Sequence, residues 1–140
     1  MPDETPEPRR LNCSSRQLAL YAAARMLDKG GEDVAVLALV PGTRIFDYIV
    51  LASGRSERQT TTLAAEVYHF CKRHQIPHRP VEGAQGWRVV DCFDVVVHAF
   101  TEEQRAYYDL DHLWSDAETL DLARELPLLP PVDDDEDTAG

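Results

Sequence analysis

Asp91-Cys92-Phe93-Asp94 sets two carboxylates close together in a chain otherwise short of reactive constellations. Paired carboxylates that hold a divalent metal for phosphoryl transfer usually stand two apart on one strand, so that both point to the same face. Here they are three apart and flank a predicted turn, where Asp is favoured because its side chain bonds nearby backbone. No Gly-rich loop with a phosphate-binding Lys accompanies them. A nucleotidyltransferase-like metal-dependent enzyme using Asp91 and Asp94 therefore stands as the alternative reading, behind a non-enzymatic one.

Two other groupings have reactive residue types. Cys71-x-x-His74-x-x-x-His78 resembles zinc spacing, but Pro77 interrupts any helix before His78 and the fourth ligand would be remote. Cys71 also continues an apolar helical stripe, where a cysteine behaves as a small hydrophobe. His98 lies in an apolar strand, sharing a face with Val96 and Phe100. It reads as a core histidine bonded to a carbonyl or carboxylate, since no Gly-x-Ser-x-Gly elbow makes Ser53 or Ser56 a nucleophile. Asp47, Asp91 and His98 together suggest a buried polar network. No catalytic residue, metal site or cofactor is expected.

The aromatic residues are more informative. Trp87, Tyr107, Tyr108, Leu110, Leu113 and Trp114 alternate with Asp109, Asp111 and His112 toward the end of the chain. An apolar centre edged by acids is the anatomy of a binding face. The set divides between core and interface.

The elements that must position these residues follow from periodicity and punctuation. Ser14 or Ser15 caps a helix that runs to about Lys29 and stops at Gly30-Gly31. Val34–Val40 and Asp47–Ala52 are buried strands separated by Pro41-Gly42. Ser56-x-x-Gln59 reads as a capping box for a helix to about His74, with Leu63, Val67, Phe70 and Cys71 as its stripe. A short edge strand is expected around Val81, then a hairpin of Trp87–Asp91 with Asp94–Phe100. Thr101-x-x-Gln104 opens another helix, with Glu102 and Glu103 complementing its dipole. The fold class is α/β, a single small mixed sheet of about five strands packed by helices. Residues 1–13 read as a disordered segment, 14–125 as the domain, and 126–140 as a Pro-rich and acidic disordered tail.

Charge narrows the partners. The 140 residues carry 14 Lys and Arg against 25 Asp and Glu, a net charge of −11. Five acids lie in Asp133–Asp137, and the remaining 20 still outnumber the basic residues. An acidic body is repelled by phosphates, so sequence-specific nucleic-acid binding is not expected; a basic protein partner is electrostatically favoured. Three cysteines without Cys-x-x-Cys spacing, no apolar leader and no long apolar run point to a cytoplasmic protein away from membranes.

Linked motifs then resemble the ribosomal silencing factor family, also called iojap or RsfS. They are Phe46-Asp47-Tyr48; Ala52-Ser53-Gly54-x-Ser56-x-Arg58-Gln59; Glu82-Gly83 with Trp87; Asp91; Asp94-Val95-Val96-Val97-His98-x-Phe100; Arg105; Tyr107-Tyr108-x-Leu110; and Leu113-Trp114. The match covers about residues 15 to 122. The resemblance implies a sheet distantly similar to the nucleotidyltransferase fold without working catalytic carboxylates. It implies a non-enzymatic translation repressor that binds protein fourteen of the large ribosomal subunit, on the face that meets the small subunit, and blocks joining when nutrients are scarce. Leu110-Asp111 departs from the family's usual Leu-Glu by one methylene. On this reading Trp87, Tyr108, Leu110 and Trp114 are the apolar anchor, and Glu102, Glu103, Asp109 and Asp111 the charged rim. A second reading has the chain form a homodimer through the same surface.

Overall fold

The computed structural model describes residues 11–39, 46–84, 86–109, 112 and 114–132. Helix α1 (Ser15–Asp28) leads into β1 (Glu32–Ala38) and β2 (Tyr48–Gly54), then α2 (Glu57–Arg73). Strands β3 (Glu82–Ala84), β4 (Trp87–Asp91) and β5 (Val95–Thr101) follow, then α3 (Glu102–Tyr108). A two-residue strand β6 (Glu118–Thr119), a short helix α4 (Leu122–Glu125) and a 3-10 turn (Leu126–Leu128) close the described chain. The strands form one mixed sheet in the order β3-β4-β5-β2-β1-β6. The sixth strand has no sequence signal of its own: two residues pair with Leu37 and Ala38 at the β1 edge. The Pro41-Gly42 turn lies outside the described residues. None of the described helices is long and apolar enough to cross a membrane.

The β2–β5 pairing is parallel and runs from Tyr48↔Val95 to Gly54↔Thr101. Because side chains alternate across a strand, this register sorts the sheet into two faces. Val36, Val50, Ala52, Val90, Val97 and Ala99 pack with α1 and α2 residues such as Met26, Leu63, Val67 and Phe70. A second cluster of Leu37, Leu39, Ile49, Leu51 and Phe100 lies apart from it, joined by Trp87, Trp114 and Ala117. Two long helices thus cover one face, and the other is left to shorter segments.

The helix starts differ from the sequence reading in one respect. Ser14 and Gln17 form a full capping box, each side chain bonding the other's backbone. At Ser56 and Thr101 only half the box forms: each hydroxyl accepts from the N–H three residues on. Gln59 instead accepts from the Arg55 N–H and donates to the carbonyls of Lys29 and Gly30, tying the start of α2 to the end of α1. The Thr101 N–H is already bonded to the Gly86 carbonyl, so it needs no side-chain partner.

Parts of both segments expected to be disordered, within 11–13 and 126–132, are instead held against the fold. Leu11 donates to the His74 carbonyl, and Leu11 and Cys13 pack on the main core. At the other end, Leu126, Leu129 and Val132 also pack there, and the Tyr21 hydroxyl donates to the Pro130 carbonyl. Leu-Pro-Leu-Leu-Pro-Pro carries enough apolar surface to be held, which a reading of proline as disorder overlooks. Residues 1–10 and 133–140 lie outside the described part.

Gly83 fixes the approach to Trp87. It has φ +98°, and a Cβ there would stand 2.1 Å from the Trp87 carbonyl oxygen. Gly83→Ala is expected to destabilise the fold by about 2 kcal/mol or more, against about 1 kcal/mol for loss of the α1 cap in Ser14→Ala. Urea denaturation of the two variants checks this, and equal midpoints would contradict it.

Candidate functional site

The second face of the sheet gathers most of the aromatic residues singled out in the sequence. Trp87 on β4 pairs with Phe100 on β5, and His98 stands two residues before Phe100 on the same face. The Trp87 and Phe100 ring centroids are 6.0 Å apart. Tyr108, the last residue of α3, approaches Trp87 to 4.9 Å, and Trp114 approaches His98 to 5.6 Å. α3 is held over this end of the face by Arg105, which donates to the Ser53 hydroxyl and the Asp33 carbonyl and lies over the Phe100 ring.

Exposure separates core from surface. Phe100 is fully buried, while Trp87 and Trp114 are half-buried. Tyr108 is 51% exposed and Tyr107 is 80% exposed. The two tyrosine rings meet edge-to-face at 4.9 Å, so a large apolar surface faces outward at the end of α3. Glu102, Glu103 and Asp109 are all exposed around it. Leu110, Asp111 and Leu113 lie outside the described residues. Tyr107, which is not among the four residues expected as the anchor, lies on the same surface. The Tyr-Tyr doublet is the signal: adjacent helical residues point in different directions, and no residue of α3 is fully buried.

For His98 the sequence predicts a core histidine with a carbonyl or carboxylate partner, in a network with Asp47 and Asp91. Its partner is instead the indole of Trp87, whose Nε1–H donates to Nδ1 at 3.1 Å. Asp47 is exposed. Asp91 accepts from the Phe93 N–H at 2.8 Å and pairs with Arg79. No shared network forms, because the β4–β5 turn consumes the Asp91 carboxylate locally. Burial holds the His98 pKa down to about 4. A proton on Nδ1 would also meet the indole N–H head-on.

Asp91 and Asp94 do not converge either. The Asp94 carboxylate accepts from the Ser15 hydroxyl at the start of α1, away from the Arg79 and Phe93 partners of Asp91. Phe93 between them takes φ 72°, the left-handed turn geometry that the Asp91 side chain stabilises. Cys71 is buried, its sulfur 3.5 Å from that of Cys92, and His78 bonds the Ile76 carbonyl through Nδ1. Among the described residues, no group of three or more His, Cys, Asp or Glu side chains could hold a metal.

Comparison with known proteins shows the family. Residues 12–139 match the family model described as ribosomal silencing factor during starvation. The chain belongs to the ribosomal silencing factor family. A ribosomal silencing factor from Halalkalibacterium halodurans is 34% identical over 111 residues, covering 78% of this chain and 95% of that protein. One from Bacillus subtilis is 33% identical, covering 78% and 94%. A crystal structure from Chromobacterium violaceum superposes with a TM-score of 0.69 at 30% identity, covering 74% of this chain and 88% of the other. The resemblance in the motifs and the mixed α/β fold are both borne out.

His98 makes the site sensitive to acid. Its folded pKa of about 4 lies below the ordinary 6.5, so the unfolded chain takes up the proton first as pH falls. Stability from keeping the ring neutral is intact above pH 6.5 and declines between 6.5 and 4, by about 3 kcal/mol in all. Carboxylates add their own acid loss, so the measurement is a difference. Stability of His98→Gln, followed by urea denaturation from pH 7 to pH 4, is expected to fall by less than that of the wild type. Parallel curves would contradict it.

Proposed function

We propose that this protein binds the large ribosomal subunit through the aromatic face and sterically blocks joining of the small subunit, repressing translation under nutrient limitation. The observation that carries the reading is the outward-facing group of Trp87, Tyr107, Tyr108 and Trp114 beside the acids Glu102, Glu103 and Asp109. Trp87, half-buried on a strand of the sheet, loses little further freedom on docking, which is what an interface anchor needs. The acidic rim and the net charge of −11 favour a basic ribosomal protein, the family's protein fourteen, over ribosomal RNA.

The relatives agree with a ribosomal setting. The chain's family is that of ribosomal silencing factors. A mouse relative, 30% identical over 92 residues, carries the name mitochondrial assembly of ribosomal large subunit protein 1. That match covers 62% of this chain and 40% of the mouse protein. On this account the acting unit is the folded part from about residue 11 to 132, it needs no cofactor, and its place of action is the cytoplasm.

Co-sedimentation with separated subunits tests the reading. The wild type is expected to pellet with large subunits and not with small ones. Tyr108→Ala and Trp114→Ala are each expected to weaken binding by about 2 kcal/mol, some thirtyfold. Trp114 also packs on Leu51 and its neighbours, so its variant needs a parallel denaturation curve. Glu102→Gln with Glu103→Gln is expected to reduce the salt dependence of binding with little change at high salt. Equal pelleting of wild type with both subunits, or full binding by folded Tyr108→Ala, would contradict the assignment.

A further inference from the structure

The Trp87–His98 hydrogen bond fixes which nitrogen of His98 carries its proton. Indole Nε1–H can only donate, so Nδ1 must be the unprotonated acceptor and the neutral ring must hold its proton on Nε2. Nε2 lies on the other side of the ring from that bond. Among the described residues it has no hydrogen-bond acceptor, and the ring is mostly buried between Trp87, Phe100 and Trp114 with part of it open to solvent. A donor of fixed direction therefore stands among the rings of Trp87, Phe100 and Trp114.

We infer that His98 is a specificity-determining residue of this face, its Nε2–H donating to a carbonyl oxygen of the docked protein partner. This rests on the docking reading above. Docking an apolar surface removes water from its centre, and a donor left without a partner there weakens binding. A partner lacking an acceptor at that point is rejected, and one that carries it is held in register. The acceptor is a neutral carbonyl, main-chain or amide: the exposed acids Glu102 and Glu103 on the neighbouring α3 and Asp109 just after it disfavour a partner carboxylate. Trp87 accordingly acts twice, as apolar surface and as the group that sets the tautomer.

Two substitutions separate the outward donor from the inward acceptor. His98→Asn keeps an amide oxygen near the Nδ1 position for the indole but is too short to reach outward. His98→Gln carries an amide N–H near the Nε2 position. Affinity for purified large ribosomal subunits is measured for both and for the wild type, with thermal denaturation to verify folding. His98→Asn is expected to bind about tenfold more weakly or worse, and His98→Gln to recover most of that loss. A folded His98→Asn that binds as the wild type does overturns the proposal. So does equal weakening in both, which would mean that His98 only shapes Trp87.

A measurement on the unmodified protein is independent of whether the variants fold. Nitrogen-15 spectra of the histidine side chains at pH 7 are expected to show His98 protonated on Nε2 and bare on Nδ1; the opposite tautomer overturns the proposal. If the wild type fails to bind large subunits at all, the docking reading falls and this one with it. Strong wild-type binding with an unaffected His98→Asn removes this inference alone.

Discussion

The parallel pairing of β2 with β5 is the constraint on which the rest of this molecule depends. It places Ile49, Leu51 and Ser53 on the same side as Val96, His98 and Phe100, and Val50 and Ala52 on the other with Val97 and Ala99. A slip of one residue would exchange the two sets, putting His98 under the helices and Val97 on the aromatic side. Parallel strands also need a crossover between them, and α2 with its following segment supplies it on the side shared with α1. Two long helices on one side leave the other side to α3 and the residues around Trp114. The proposed docking surface is the face those helices leave uncovered.

That surface is assembled from contacts that are individually small. Aromatic pairs such as Trp87–Tyr108 and Tyr107–Tyr108 contribute about 1 kcal/mol each beyond their buried area. They suffice to fix ring positions without closing the face, since Tyr107 and Tyr108 stay open to solvent. The charged groups act differently. Glu102, Glu103 and Asp109 lie in high dielectric, where their effect on folding is slight and their effect on encounter with a cationic partner is larger. In the proposed docking, anchor and rim divide affinity from approach.

Much of this was legible in the residues. Gly30-Gly31, the β-branched runs and the Ser-x-x-Gln spacings mark the elements to within a few residues, because turn geometry and burial periodicity are local properties. Partner choice is not local. Gln59 offers the side chain of a capping box yet spends it on α1, and Ser14-x-x-Gln17, which does close a box, stood out no more than Ser15. His98 on an alternating apolar strand looks like any core histidine until Trp87 on the neighbouring strand is seen to satisfy it. Two-residue β6 and the packed Leu126–Val132 stretch are likewise decided by tertiary contacts rather than propensity.

The account predicts a physical block at the surface between two particles. Light scattering of purified small and large subunits mixed at association-promoting magnesium reads this directly. With the protein added in saturating excess over the large subunits before mixing, the amplitude of the joining signal should fall toward that of separate subunits. It should recover when Tyr108→Ala replaces the wild type at the same concentration. An undiminished amplitude with wild-type protein bound to the large subunits would contradict the central claim.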